Sequence, residues 1–142
     1  MFKKVLSNLL ALLATPFLVP NSVIAETIVP LIEARTLYPR TCHIIIDSWE
    51  GDCQSVTIGF LSDYSAFNIK LCSSNNRCLI LIGDTNELIY YRSSMRIYSV
   101  AWQEGKKITK RWSSNLIFGP YLYGHGIAGT LEGSIIAAYF ED

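Results

Sequence analysis

Outside its first 25 residues the chain has no sustained helical period, no internal repeat and no apolar run long enough to span a membrane. These absences argue against a helical bundle, a repeat array and a membrane-spanning helix after the first 25 residues. Charge is also sparse: 17% of the residues are Asp, Glu, Lys or Arg, with twelve of each sign. That balance is unlike the strong positive charge that a phosphate backbone selects, so no nucleic-acid partner is expected. No Gly-rich motif follows a strand and opens a helix, and no nucleotide cofactor is expected. The Cys-x-x-Cys spacing of a zinc site and the EF-hand spacing of a calcium loop are both missing. There are only two histidines, His43 and His125, and no Gly-x-Ser-x-Gly elbow. Catalysis is therefore the lesser expectation, and neither a metal nor a cofactor is expected.

What is present begins with residues 1–25, MFKKVLSNLLALLATPFLVPNSVIA. Lys3 and Lys4 precede an apolar stretch, and Val23 and Ala25 are small enough for the −3 and −1 positions of a cleavage site. This reads as a secretory signal peptide cleaved before Glu26. Without Lys3 and Lys4, ten basic residues face twelve acidic ones, a net charge near −2. The remaining 117 residues suit one domain, with residues 26–41 as an extended N-terminal arm and 42–142 as the domain itself. The compartment is read as secreted or periplasmic.

Four cysteines follow the leader: Cys42, Cys53, Cys72 and Cys78. An even count after a signal peptide indicates disulfides in an oxidising compartment. Three pairings are possible, and 42–53 with 72–78 is favoured because each pair brackets a hairpin. The second hairpin, residues 67–82 (FNIKLCSSNNRCLILI), is the best-specified stretch of the chain. Opposing Cys72 and Cys78 pairs Leu71 with Leu79, Lys70 with Ile80 and Ile69 with Leu81. Side chains alternate faces along a strand, so Phe67, Ile69, Leu71, Leu79 and Leu81 gather on one face. The pairing that joins the cysteines thus also assembles a core face. Ser and Asn in the loop bond back to the backbone and tolerate left-handed angles. A bridge closing so short a loop stabilises by roughly 2–3 kcal/mol on the chain-entropy model.

The rest reads as short strands between turns. An edge strand is expected around residues 27–31, a strand at 42–49, a turn at Glu50-Gly51-Asp52 and a returning strand at 53–61. Residues 62–65 turn into the stapled hairpin, 83–87 turn again, and 88–92 form a strand. A hairpin at 95–112 turns at Glu104-Gly105, which would set Trp102 opposite Lys107 and Trp112 opposite Ile97. Residues 113–115 read as a loop, 116–118 as a short strand, and the glycine-rich segment 121–132 as an irregular or bulged loop. Residues 134–140 (SIIAAYF) are apolar throughout and read as a buried strand, a short helix being the alternative. The expected fold is all-β: a small antiparallel sandwich or barrel of hairpin-linked strands stapled by disulfides.

The aromatic residues suggest a surface. Trp102, Trp112, Lys107, Lys110 and Arg111 lie on one hairpin, residues 95–112. Flat rings beside cations can stack on a sugar or anchor a protein. The alternative is that the indoles fill the core and the lysines guard a strand edge. Asp47, Glu50 and Asp52 cluster near one turn, where a calcium site or a glycosidase pair is the lesser expectation beside a solvated turn. His125 could serve as a general base in a small secreted hydrolase, and His43 less readily. The leading expectation is non-catalytic binding of a protein or glycan at the cell envelope. A hydrolase using His125 and a structural envelope component are the alternatives.

Overall fold

The computed structural model describes residues 31–61, 66–84 and 94–141. The stapled hairpin forms in the register its sequence dictates. Strands β5 (Ala66–Cys72) and β6 (Arg77–Asp84) pair antiparallel, with Ile69 opposite Leu81, Lys70 opposite Ile80, Leu71 opposite Leu79 and Cys72 opposite Cys78. Cys72 and Cys78 are bridged, as are Cys42 and Cys53. In the intervening loop Asn76 takes a left-handed φ of 61°, and the Ser73 amide donates to the Arg77 carbonyl at 2.8 Å. Asparagine tolerates that backbone better than most residues.

Eight more strands complete the fold: β1 (Leu31–Leu37), β2 (Thr41–Ile46), β3 (Trp49–Asp52), β4 (Ser55–Leu61), β7 (Met95–Glu104), β8 (Lys107–Tyr121), β9 (Gly124–Leu131) and β10 (Ser134–Glu141). The described residues contain no helix. All ten strands form one antiparallel sheet in the order β1-β4-β5-β6-β7-β8-β9-β10-β2-β3. That sheet cannot be flat. β4 and β3 stand second and tenth in the order, a separation of roughly 38 Å at about 4.8 Å per strand. Yet only Cys53 and Gln54 connect them, a reach of about 10 Å. The sheet must curl until its ends meet. β8 makes the bend, pairing with β7 over most of its length and with β9 only at Gly119, Pro120 and Tyr121.

The curl encloses one core drawn from both halves. Val56, Ile69, Leu71, Leu79, Leu81 and Val100 meet Ile44, Ile46, Ile127, Ile136 and Phe140. Trp49 on β3 packs on Trp102 of β7, ring centroids 5.1 Å apart, and so bridges the halves. Lys110 reaches from β8 to Asp47 at the β2–β3 turn, 3.6 Å away. The outer face of β6, β7 and β8 carries a smaller cluster of Ile80, Ala101 and Ile108, so this side of the hairpin is buried too. Burial there lowers the pKa of Lys70.

Several local expectations need correction. Glu50-Gly51-Asp52 lies in strand β3, and the turn falls at Asp47-Ser48, with Asp47 left-handed at φ 52°. The edge strand runs over Leu31–Leu37. Residues 113–115 continue strand β8, and the glycine-rich segment supplies strand β9. Its glycines answer to packing. A Cβ at Gly124 would collide with the Phe140 carbonyl oxygen, and one at Gly126 would stand 2.7 Å from the Ala138 oxygen. The β7–β8 turn is Gly105-Lys106, and a bulge follows, so Trp102 faces Lys110 and Val100 faces Trp112. Residues 134–140 form a strand, β10. The leader, the turn at 62–65 and the strand at 88–92 lie outside the described residues.

Candidate functional site

The hairpin expected to present indoles does not present them. Trp102 is 2% exposed and Trp112 is 6% exposed, both in the main core. The Trp102 indole N–H donates to Glu104 at 3.2 Å, which satisfies its polar end where it is buried. Lys107 and Arg111 are exposed, and Lys110 is committed to Asp47. The structure therefore separates these residues: the two rings enter the core, Lys107 and Arg111 face solvent, and Lys110 spans to the other half of the sheet. Large side chains bury the most apolar area, and a small domain uses them for that.

An open apolar surface exists on the other half of the sheet. The faces of β9, β10, β2 and β3 that point away from the core are set in rows by strand pairing. Gly126, Tyr139, His43 and Asp52 stand side by side in one row. Ala128, Ala137, Ile45 and Glu50 form the next. Small residues at the centre and large ones around them leave a groove of about 450 Å³. Gly126, Ala128 and Ala137 form its floor, and Ile45, Ile117, Tyr121 and Tyr139 stand around it. The Tyr139 ring lies over its cross-strand partner Gly126, and Tyr121 meets it edge-on at 5.6 Å. The Tyr139 hydroxyl donates to Glu141 at 3.5 Å, and partial burial and that carboxylate raise the phenol pKa.

The rim of the groove is polar at β3. His43 holds two carboxylates at once, Nδ1 at 2.9 Å from Asp52 and Nε2 at 2.7 Å from Glu50. An ionised carboxylate only accepts hydrogen bonds, and a neutral imidazole has one N–H to give. The geometry is that of an imidazolium. The hydrogen bond to Asp52, then that to Glu50, raises the pKa of His43 against a smaller opposing effect of burial. A raised folded pKa means that the clasp's stabilisation is complete below the unfolded value of about 6.5 and is lost as pH rises through the folded value. The pair is substantially exposed, so the loss should stay under about 1 kcal/mol. NMR titration of His43 should show a midpoint above that of a free histidine, and Glu50→Gln with Asp52→Asn should remove the elevation. An unchanged midpoint in that double variant would refute the clasp.

Asp47, Glu50 and Asp52 do not converge as a cation site would require. Asp47 accepts from the Ile135 amide and pairs with Lys110, and the other two engage His43. Among the described residues no group of three His, Cys, Asp or Glu is placed to hold a metal ion. His125 stacks on Phe118 and Phe140, with centroids 6.2 and 5.7 Å apart.

Charge divides between the two halves. Strands β2, β3, β9 and β10 contain no Lys or Arg, while Glu50, Asp52 and Glu141 lie on their outer face. Sequence reading missed the groove. Its signal was the apolar run SIIAAYF combined with HIII, where both alternating faces are apolar and no lysine intervenes. No family model, curated protein or solved structure matches the chain. The fold defines it as a disulfide-bonded all-β domain, and disulfides suit an oxidising environment.

Proposed function

We propose that this is a secreted or periplasmic non-catalytic binding protein, and that it recognises a protein partner through the groove between β8 and β2. The observation that carries this reading is an open apolar trough of about 450 Å³ on a sheet face, bordered by carboxylates. A concave apolar site with a few polar groups at its rim is the usual form of a binding site on a protein surface. A floor of Gly126, Ala128 and Ala137 offers few side-chain hydrogen bonds to a sugar, and it suits an aliphatic or aromatic side chain. Glu141, with the net negative charge left on the Glu50–His43–Asp52 clasp, favours a partner whose apolar anchor is flanked by Lys or Arg. The leader and the two disulfides support the compartment.

The test is a peptide panel in which an apolar residue is flanked by basic, neutral or acidic neighbours. Basic-flanked peptides should bind best and weaken with salt. Ala137→Phe fills the floor from the solvent side and should reduce that affinity at least about tenfold, a loss typical of blocking one apolar anchor pocket. Binding that ignores both the flanking charge and Ala137→Phe would overturn the reading.

A further inference from the structure

The turn between β8 and β9 is built against the usual rules. Leu122 holds a left-handed φ of 53°, a conformation natural to Gly or Asn and strained for a branched aliphatic residue. Its side chain gains nothing from the fold, being 78% exposed. Its neighbours Tyr121 and Tyr123 are 60% and 89% exposed. Three large apolar side chains in succession thus stand in water at a hairpin tip. The sixteen residues from Leu116 to Leu131, LIFGPYLYGHGIAGTL, contain no Asp, Glu, Lys or Arg. Tyr121 pairs with Gly124, so the tip's backbone is already engaged in the ladder. At the same end of the sheet Glu141 pairs with Thr41, and Tyr38, 79% exposed, lies three residues before Thr41.

We infer that this tip dips into the interfacial layer of a lipid bilayer, with Leu122 deepest and Tyr121 and Tyr123 at headgroup level. Each feature fits that partner. Tyrosine, with an apolar body and a polar hydroxyl, concentrates at membrane interfaces. An uncharged hairpin has no side-chain charge to desolvate, and the pairing of Tyr121 with Gly124 leaves only a two-residue turn outside the ladder, few backbone groups for lipid to leave unpaired. The strands of this half carry no Lys or Arg, and at this end the charge of the exposed Arg40 is matched by that of Glu141, so attraction to anionic headgroups contributes little. The association is peripheral, and its deepest residue, Leu122, stands outside the groove, with Tyr121 the one tip residue that also borders it.

The test uses the folded, oxidised protein with phosphatidylcholine vesicles and with vesicles containing phosphatidylglycerol. Leu122→Asn suits the left-handed backbone and removes the apolar side chain, so it should fold at least as well as the parent while its partition falls about tenfold or more. Anionic lipid should not strengthen binding. In bicelles, a spin-labelled lipid should broaden the Leu122 methyl signals and spare those of Ile135. Ala137→Phe should leave partition unchanged, which separates this inference from the groove reading. A partition for Leu122→Asn within twofold of the parent would overturn the inference. So would Leu122 signals untouched by the spin label, or a tip variant that loses groove-peptide binding and keeps its lipid partition.

Discussion

Phe140→Ala is expected to destabilise the protein by about 3–5 kcal/mol, the range for truncating a buried aromatic ring. Phe140 has no exposed surface and lies on β10, facing the bend at β8. Its ring stacks on Phe118 from β8, 6.1 Å between centroids and tilted by 23°, and on His125 from β9. One side chain therefore binds three strands at the bend. Small domains are stable by about 5–15 kcal/mol in total, so the loss is a large fraction of the whole. Urea unfolding should show a lower midpoint with an unchanged slope. Phe140→Leu retains most of the volume and should lose clearly less. A loss under about 1 kcal/mol for Phe140→Ala would mean that the ring is not packed as described.

The stapled hairpin was legible because independent constraints agreed. Opposing Cys72 and Cys78 also aligned the apolar positions and placed Asn76 where a left-handed residue was needed. β9 was illegible for the opposite reason. Single-residue propensity reads glycine as a loop former, and nothing local reveals that the Phe140 and Ala138 carbonyls crowd Gly124 and Gly126. β3 was hidden the same way, since Glu-Gly-Asp resembles a turn until Asp47 takes that role and the Trp49 ring covers Gly51. The β7–β8 register slipped because the turn falls one residue later, at Gly105-Lys106, and a bulge lies beside Trp102. That error bears little on the indoles, because their destination was set by the curl of the whole sheet. The groove was half legible: two-sided apolar strands were visible, but the rows that align Ala128, Ala137 and Ile45 exist only once β9, β10 and β2 pair.

The two disulfides should contribute unequally, and the difference follows from what each one joins. Cys72–Cys78 closes a six-residue separation inside a hairpin that already has its own ladder. Its removal by serine substitution should lower stability by about 2 kcal/mol. Cys42–Cys53 closes a separation of eleven, for which the chain-entropy relation gives about 3 kcal/mol. It also stands where the chain leaves β3 at one end of the strand order and enters β4, second from the other end. The Cys53 amide donates to the Cys42 carbonyl there, and the Gln54 amide to the Cys72 carbonyl, so this corner ties the two halves. The Cys42→Ser, Cys53→Ser protein should therefore unfold at lower urea than the Cys72→Ser, Cys78→Ser protein. The reverse order would place the closure of the sheet elsewhere. Removing both bridges should cost about 5 kcal/mol, comparable to the whole stability of many small domains. A folded state that depends so heavily on oxidation would form poorly in a reducing compartment, which links the curl of the sheet to the compartment read from the leader.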